Sequence, residues 1–223
     1  VITPEHVGTA LIPGGAEMRL MRRGHEYTIM LERVELMSSR ASHSEQALAT
    51  MTAERLDGRP APQFLIGGYG MGFTLRAALG VLGPDAGVTV AELVPEIIDW
   101  ARGPMAGLTA GCLDDPRVVL VKDDVAMLIG AARGGYDAIL LDVDNGPDGL
   151  TRTGNDHLYG PNGLLAARAA LTRGGILAIW SAEPDKAFTA RLQKAGFAVD
   201  EVVVRERPNG KGARHVIWFA RKP

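Results

Sequence analysis

Residues 64–72, Phe-Leu-Ile-Gly-Gly-Tyr-Gly-Met-Gly, constrain the fold of this chain more than any other stretch. A short apolar run ends in glycines, and a segment with helical character, Phe73 to Leu82, follows at once. The pattern predicts a strand, a tight turn and a helix N-terminus. Glycine reaches φ > 0 and leaves no Cβ in the path of a ligand. A helix starting there presents unpaired N–H groups. The spacing narrows the ligand class. Gly68, Gly70 and Gly72 spell G-x-G-x-G, and Phe73 breaks the dinucleotide pattern G-x-G-x-x-G. No Gly-Lys-Ser/Thr follows, so the turn is not a P-loop for nucleoside triphosphates. A plain strand–helix turn is the alternative reading.

From Gln63 onward, strands and helices alternate. Strand 64–67 leads to helix 73–82, strand Val88 to Ala91 to a helix from Pro95 to Ala101, and strand Val118 to Val121 to a helix from Val125 to Ala132. Strand Ala138 to Leu141 follows, then a helix over Leu164 to Leu171, a Gly174-Gly175 turn and strand Ile176 to Trp180. After a helix over Asp185 to Lys194, two strands, Val199 to Arg205 and His215 to Ala220, are joined by a Pro-Asn-Gly turn. This order predicts an α/β fold with a mostly parallel sheet covered on both faces. The last two strands lack a crossover helix and must be antiparallel.

The N-terminal part reads differently. Residues 1–37 hold short β-capable runs broken by Pro13-Gly14-Gly15 and Gly24, a small hairpin or meander. Such a piece is too small to stand alone, so it packs on the main domain or on another subunit. Its apolar Leu11, Ile12, Ile29 and Leu31 suggest pairing across a homodimer. Residues 38–62 hold a helix from Ser38 to Leu56 and a Pro/Gly-rich linker, and the main domain spans 63–223. With 223 residues, the chain is long enough for one substantial domain plus this appendage.

Composition excludes several classes. A net charge of −2 argues against a nucleic-acid binder, which carries a basic excess. No apolar run is long enough for a membrane span, and no signal-peptide pattern opens the sequence, so cytoplasmic residence is expected. The single Cys112 rules out an intramolecular disulfide and an all-cysteine metal site, and no metal is expected.

In a sheet of this kind the ligand lies outside the carboxyl ends of the strands, and four features fall there. The glycine turn follows the first strand. Glu92 follows the second, twenty residues beyond Gly72, placed to accept both hydroxyls of a ribose. Asp123-Asp124 follow the third, where a carboxylate can accept from an adenine amino group. Asp142-Val143-Asp144-Asn145 follow the fourth. No Lys or Arg in the glycine turn is present to neutralise a phosphate, which favours a nucleoside whose reactive end is positive, such as a sulfonium.

With these residues, 63–181 resemble the class I S-adenosylmethionine-dependent methyltransferase fold, and within it the spermidine synthase (polyamine aminopropyltransferase) branch. The motifs are Ile66 to Gly72, Ala91-Glu92-Leu93-Val94-Pro95-Glu96-Ile97-Ile98, Asp115-Pro116-Arg117-Val118, Tyr136 to Asp142 and Leu171 to Leu177. The resemblance implies a seven-stranded Rossmann-like sheet. It implies that Gly68, Tyr69, Gly70 and Gly72 surround the nucleoside together with Glu92, Leu93, Asp123, Asp124 and Asp142. It also implies S-adenosylmethionine or its decarboxylated form as the bound donor, and a small-molecule acceptor.

The departures from that branch bear on chemistry. The synthases carry an Asp in the glycine loop where this chain has Gly70. Their catalytic Asp, three positions after the strand-four acid, is here Asn145, with Asp144 one residue earlier. Their Tyr-His-Glu motif is echoed by Ser42-His43-Ser44-Glu45. An amine nucleophile must lose a proton, which a positioned carboxylate or histidine assists. Asp142, Asp144 and Asn145 are the catalytic candidates, with His43, His157 and Tyr159 also on the acceptor side. Asp148 to Asn162 reads as a lid or an ordinary surface loop, and Trp180 as a packing residue or a rim of the pocket. The expectation is methyl transfer to a small molecule by in-line displacement at the sulfonium. Aminopropyl transfer and non-catalytic nucleoside binding are the alternatives.

Overall fold

A computed structural model describes residues 3–56, 58–143 and 157–223. Four antiparallel strands open the chain, β1 (Glu5–Leu11), β2 (Glu17–Arg23), β3 (Glu26–Leu31) and β4 (Val34–Ser38), hydrogen-bonded in sequence order as a meander. The fourth strand was not expected. Val34 to Ser38 pair with β3, Ile29 opposite Met37 and Thr28 opposite Ser38, so helix α1 (His43–Arg55) starts five residues later than the sequence suggests.

The large sheet contains β5 (Gln63–Gly67), β6 (Gly87–Ala91), β7 (Val118–Val121), β8 (Tyr136–Leu141), β9 (Leu171–Ser181), β10 (Ala198–Arg205) and β11 (Arg214–Arg221). Its order is β10-β11-β9-β8-β5-β6-β7. Strands β5 to β9 are parallel where they pair, and β11 runs antiparallel to both β9 and β10. The expected Gly174-Gly175 turn is instead a bulge inside β9. Tyr136 pairs with Leu171 and Ala138 with Ile176, and Gly174 N–H and Gly175 C=O bond Lys222 across the edge.

The continuous apolar runs of the central strands follow from burial on both faces. On one face Phe64, Ile66, Ala138 and Leu140 pack with α1, α2 (Phe73–Val81) and α3 (Pro95–Arg102). On the other, Leu65, Ile139 and Leu141 meet α5 (Val125–Ala131), α6 (Pro161–Ala170) and α7 (Lys186–Lys194). A one-turn helix, α4 (Ala106–Thr109), follows α3. Among the described residues no helix is long and apolar enough to cross a membrane.

The small sheet docks on the first of these faces. Ala10, Met18, Leu20 and Ile29 join the core that holds Trp100 of α3. Gly8 makes the approach possible, since a Cβ there would stand 2.5 Å from Trp100 Nε1. Tyr27 Oη donates to the Pro104 carbonyl beside it. Of the four residues expected at a subunit interface, Ile29 and Leu31 are buried within the chain and Ile12 lines the cavity described below, leaving Leu11 exposed. Trp100→Ala should therefore cost about 3–5 kcal/mol, the range for truncating a buried aromatic, in chemical denaturation. A loss under about 1 kcal/mol would mean that the small sheet is held by other contacts.

Candidate functional site

The sheet order reverses at β5, which pairs β6 on one side and β8 on the other. Ligand crevices of doubly wound sheets open at such a point. The backbone approach there is close. Gly68 has φ +87° and lies so near the end of β8 that a Cβ would stand 2.6 Å from the Asp142 carbonyl oxygen, so no other residue fits. A cavity of about 320 Å³ opens above it, between the carboxyl ends of the strands and the small sheet.

Glu92, at the end of β6, is 5% exposed. Its Oε2 accepts from the Tyr69 N–H (2.8 Å) and its Oε1 from the Val94 N–H (2.9 Å). Burial raises its pKa, and these backbone donors counter that shift. Each oxygen keeps lone-pair capacity, so the carboxylate can also accept a pair of hydroxyls from the cavity side.

The two acids after β7 divide their work. Asp124 is the N-cap of α5, accepting from the Ala126 N–H at 2.8 Å, and its other oxygen lies 3.2 Å from His157 Nε2. Among the described residues Asp123 accepts from the Asp124 N–H, at 2.8 Å through Oδ1, and its exposed side chain lines the cavity. Asp123 thus keeps more lone-pair capacity for a donor in the cavity than Asp124 does. Leu93, 47% exposed, adds an apolar wall beside it.

The fourth acid has a companion. Asp142 Oδ2 accepts from Thr74 Oγ1 at 3.0 Å, and the same hydroxyl lies 3.3 Å from the Glu45 carbonyl. The Glu45 side chain, from the first turn of α1, is 7% exposed and also lines the cavity. Ser44 Oγ donates to Glu45 Oε2 at 2.6 Å. With that proton committed, His215 Nδ1–H donates to Ser44 Oγ at 2.9 Å, and the His215 ring packs edge-on against Trp180. Burial pushes Glu45 up to about 7, and the charge of Asp142 adds to the shift. Asp142 keeps surface on the cavity but is enclosed by protein, and burial pushes it up to about 6. The charge of Asp142 reaches Glu45, so the two titrate as a pair.

Among the described residues that line the cavity are five carboxylates, Glu45, Glu92, Asp123, Asp124 and Asp142, and no Lys or Arg. Glu45 was not among the site residues expected from sequence. Gly68, Gly70, Leu93 and His157 line the cavity with these acids, and so does Trp180. Tyr69 contributes its backbone N–H, while its ring turns inward, 4% exposed, with Oη 3.4 Å from Cys112 Sγ. Gly72 is the N-cap of α2 and lies over the Tyr69 ring. His43 starts α1, with its backbone N–H bonded to the Glu206 carbonyl at 3.3 Å, and does not line the cavity. Tyr159 is buried against Phe188. Asp144, Asn145 and most of the expected lid lie outside the described residues. Among the described residues no group of three or more His, Cys, Asp and Glu is placed to hold a metal ion.

The raised carboxyls carry a signature in stability. A carboxyl whose folded pKa exceeds its unfolded value favours the fold fully below the unfolded pKa, and that contribution is lost as pH rises through the folded one. For Glu45 the window runs from its ordinary 4.5 to about 7. Asp142, Glu206, Ser44 and His215 face it there. Glu45→Gln should gain stability relative to the parent as pH rises through this window in denaturation series. A difference that stays constant with pH would mean Glu45 titrates normally.

No family model matches the chain. Over 150 residues, 62% of the chain, it is 36% identical to a polyamine aminopropyltransferase of Mycobacterium tuberculosis, the match covering 27% of that protein. A polyamine aminopropyltransferase of Corynebacterium efficiens is 34% identical over 121 residues, 52% of the chain and 22% of that protein. The chain spans about a quarter of the length of these curated relatives. In fold it is similar to spermidine synthase from Thermotoga maritima, with a TM-score of 0.76 over 98% of this chain and 73% of that one, at 19% identity. TrmN from Thermus thermophilus gives a TM-score of 0.56 over 92% of this chain and 59% of that one, at 24% identity. By sequence the chain is thus similar to part of the polyamine aminopropyltransferases, and it shares its fold with spermidine synthases.

Proposed function

We propose that this chain carries the site of an aminopropyltransferase, which binds decarboxylated S-adenosylmethionine as donor and an amine as acceptor. The observation that carries this reading is the charge of the cavity: five carboxylates and, among the described residues, no Lys or Arg. A donor bearing a sulfonium and an ammonium matches that lining. A donor with a free carboxylate would meet like charge and, among the described residues, no cationic partner, which costs several kcal/mol at close quarters. The sequence matches to polyamine aminopropyltransferases favour aminopropyl over methyl transfer.

The residues divide the task. Glu92 accepts the ribose hydroxyls, Asp123 the adenine amino group, and Leu93 covers the base. Donor and acceptor are held in line, which lowers the barrier by positioning. The acceptor nitrogen forms the new N–C bond, the C–S bond breaks, and sulfur leaves with the electron pair as a neutral thioether. The proton shed by nitrogen passes to the Glu45–Asp142 pair, whose pKa near neutrality suits a general base. Glu45 thus supplies a carboxylate that the substitution at Asn145 removes.

Methyl transfer is the second reading, and Gly70 favours it. A Cβ there would stand 2.9 Å from Sδ and Cε of Met37, so a thioether covers the place where the synthases carry an acid. The reaction product separates the two. With decarboxylated donor and amine, chromatography should detect methylthioadenosine. S-adenosylhomocysteine formed from S-adenosylmethionine, with no methylthioadenosine from the decarboxylated donor, would establish methyl transfer instead.

Glu92→Gln keeps an acceptor for one backbone N–H and loses the charge. It should weaken methylthioadenosine binding by about 1.5–3 kcal/mol in calorimetry, the range for hydrogen bonds to a charged group. Undiminished affinity in a folded variant would place the nucleoside elsewhere.

A further inference from the structure

The Glu45 carboxyl, which lines the cavity, is hydrogen-bonded to a chain of groups that reaches the last hairpin. Ser44 Oγ lies 2.6 Å from Glu45 Oε2, and His215 Nδ1, 171 residues further along, lies 2.9 Å from the same Oγ. Ser44 is fully buried, out of contact with bulk water. Two further contacts hold the alignment. The His43 N–H bonds the Glu206 carbonyl at 3.3 Å, which ties the start of α1 to the hairpin. The His215 ring packs 4.7 Å from Trp180 at 63°, and Trp180 is itself a cavity residue.

The direction of these bonds follows from the charge of Glu45. An ionised carboxylate only accepts hydrogen bonds, and a hydroxyl has one proton to give. With Glu45 ionised, the Ser44 proton lies toward Oε2, and Oγ takes its second bond from an N–H at His215 Nδ1. Only when Glu45 is protonated can the chain run the other way, with Ser44 donating to a bare Nδ1. A proton on Nδ1 and a charge on Glu45 thus belong together. Burial holds His215 below its ordinary pKa, so near neutral pH the ring is uncharged and has a single N–H to place. The Ser44 bond pulls Glu45 down against the rise that burial and Asp142 cause. Among the described residues, the ionisable groups facing Glu45 are Asp142 at the end of β8, Glu206 in the last hairpin and, through Ser44, His215 of β11. Glu206 also acts on His215.

We infer that His215 and Ser44 are positioning residues for the reaction: the Nδ1–H of His215 fixes the Ser44 hydroxyl with its proton on Glu45 Oε2, which holds the carboxylate charged and leaves Oε1 to take the proton of the acceptor amine. This rests on the aminopropyl reading, in which Glu45 receives that proton. The chain moves no proton itself. It fixes where the existing ones lie, and Trp180 braces the imidazole that does so.

Three variants of the full chain test this. His215→Phe keeps a ring against Trp180 without the donor, Ser44→Ala removes the hydroxyl, and His215→Asn restores an N–H near the place of Nδ1. The Glu45 carboxyl is titrated by carbon-13 NMR in ligand-free protein. Methylthioadenosine formation from decarboxylated S-adenosylmethionine and diaminobutane is measured against pH, each variant beside the parent so that the ionisation of the amine cancels. His215→Phe and Ser44→Ala should raise the Glu45 midpoint by about 0.5–1 pH unit, the net worth of one hydrogen bond read as a shift. The rate depends on the ionised base, so the acid limb of kcat/KM should move up by the same amount, and His215→Asn should return both toward the parent. An unmoved midpoint in His215→Phe and Ser44→Ala, or a His215→Asn that behaves as His215→Phe does, would overturn the positioning role and leave the aminopropyl reading standing. A midpoint that moves while the acid limb does not would remove Glu45 as proton acceptor, and the positioning role with it. No methylthioadenosine from the parent at any pH, in protein shown to bind the donor, would overturn the aminopropyl reading itself and the role of this chain in transfer.

Discussion

The buried carboxylate of Glu92 holds the ligand-binding end of the sheet together. It joins the glycine turn after β5 to the start of α3 through the Tyr69 and Val94 N–H groups. A buried carboxylate is costly unless hydrogen-bonded, so the turn must keep the geometry that satisfies it. That geometry needs positive φ at Gly68, Gly70 and Gly72, and it brings Gly68 against the end of β8, where Asp142 begins the acidic wall. The fold thus converts one satisfied side chain into a fixed spacing between Glu92 and the acids Asp142 and Glu45.

The second organising contact is the seat of the small sheet on α3. Its packing at Trp100 places Met18, Ile29 and Met37 over the cavity and sets the chemical asymmetry of the site, acidic below and apolar above. Glu45 is buried and Asp142 largely enclosed by protein at the floor of that cavity. In a low-dielectric setting two neighbouring carboxyls cannot both ionise readily, and a carboxyl raised toward neutrality by burial is suited to accept a proton. Ser44 and His215 extend the pair toward the last hairpin, so β11 takes part in holding the site although it lies two strands from β8.

Much of this was legible in the sequence because it is local. The glycine turn, the strand-ending acids Glu92, Asp123 and Asp142, and the antiparallel final hairpin each depend on a few neighbouring residues. What escaped depends on contacts distant in sequence. Val34 to Ser38 is a five-residue run with no clear alternation, and only pairing with β3 makes it a strand. Glu45 reads as a first-turn helix acid, and its burial arises from α1 packing between α2 and the strands. Asp123 and Asp124 are indistinguishable by position, and both line the cavity, yet only Asp124 caps α5. Gly70 signalled a lost acid, whereas the thioether that covers it comes from a strand not foreseen. The roles of Asp144 and Asn145 rest on residues outside those described.

The charge of the cavity is tested most directly by calorimetric titration with S-adenosylmethionine and with its decarboxylated form. The two differ only in the carboxylate, which a cavity whose described lining holds five acids and no Lys or Arg should reject. The decarboxylated ligand should bind more tightly by about tenfold or more. Equal affinity, or tighter binding of S-adenosylmethionine, would contradict the assignment of this wall to a cationic donor arm and return the site to methyl transfer.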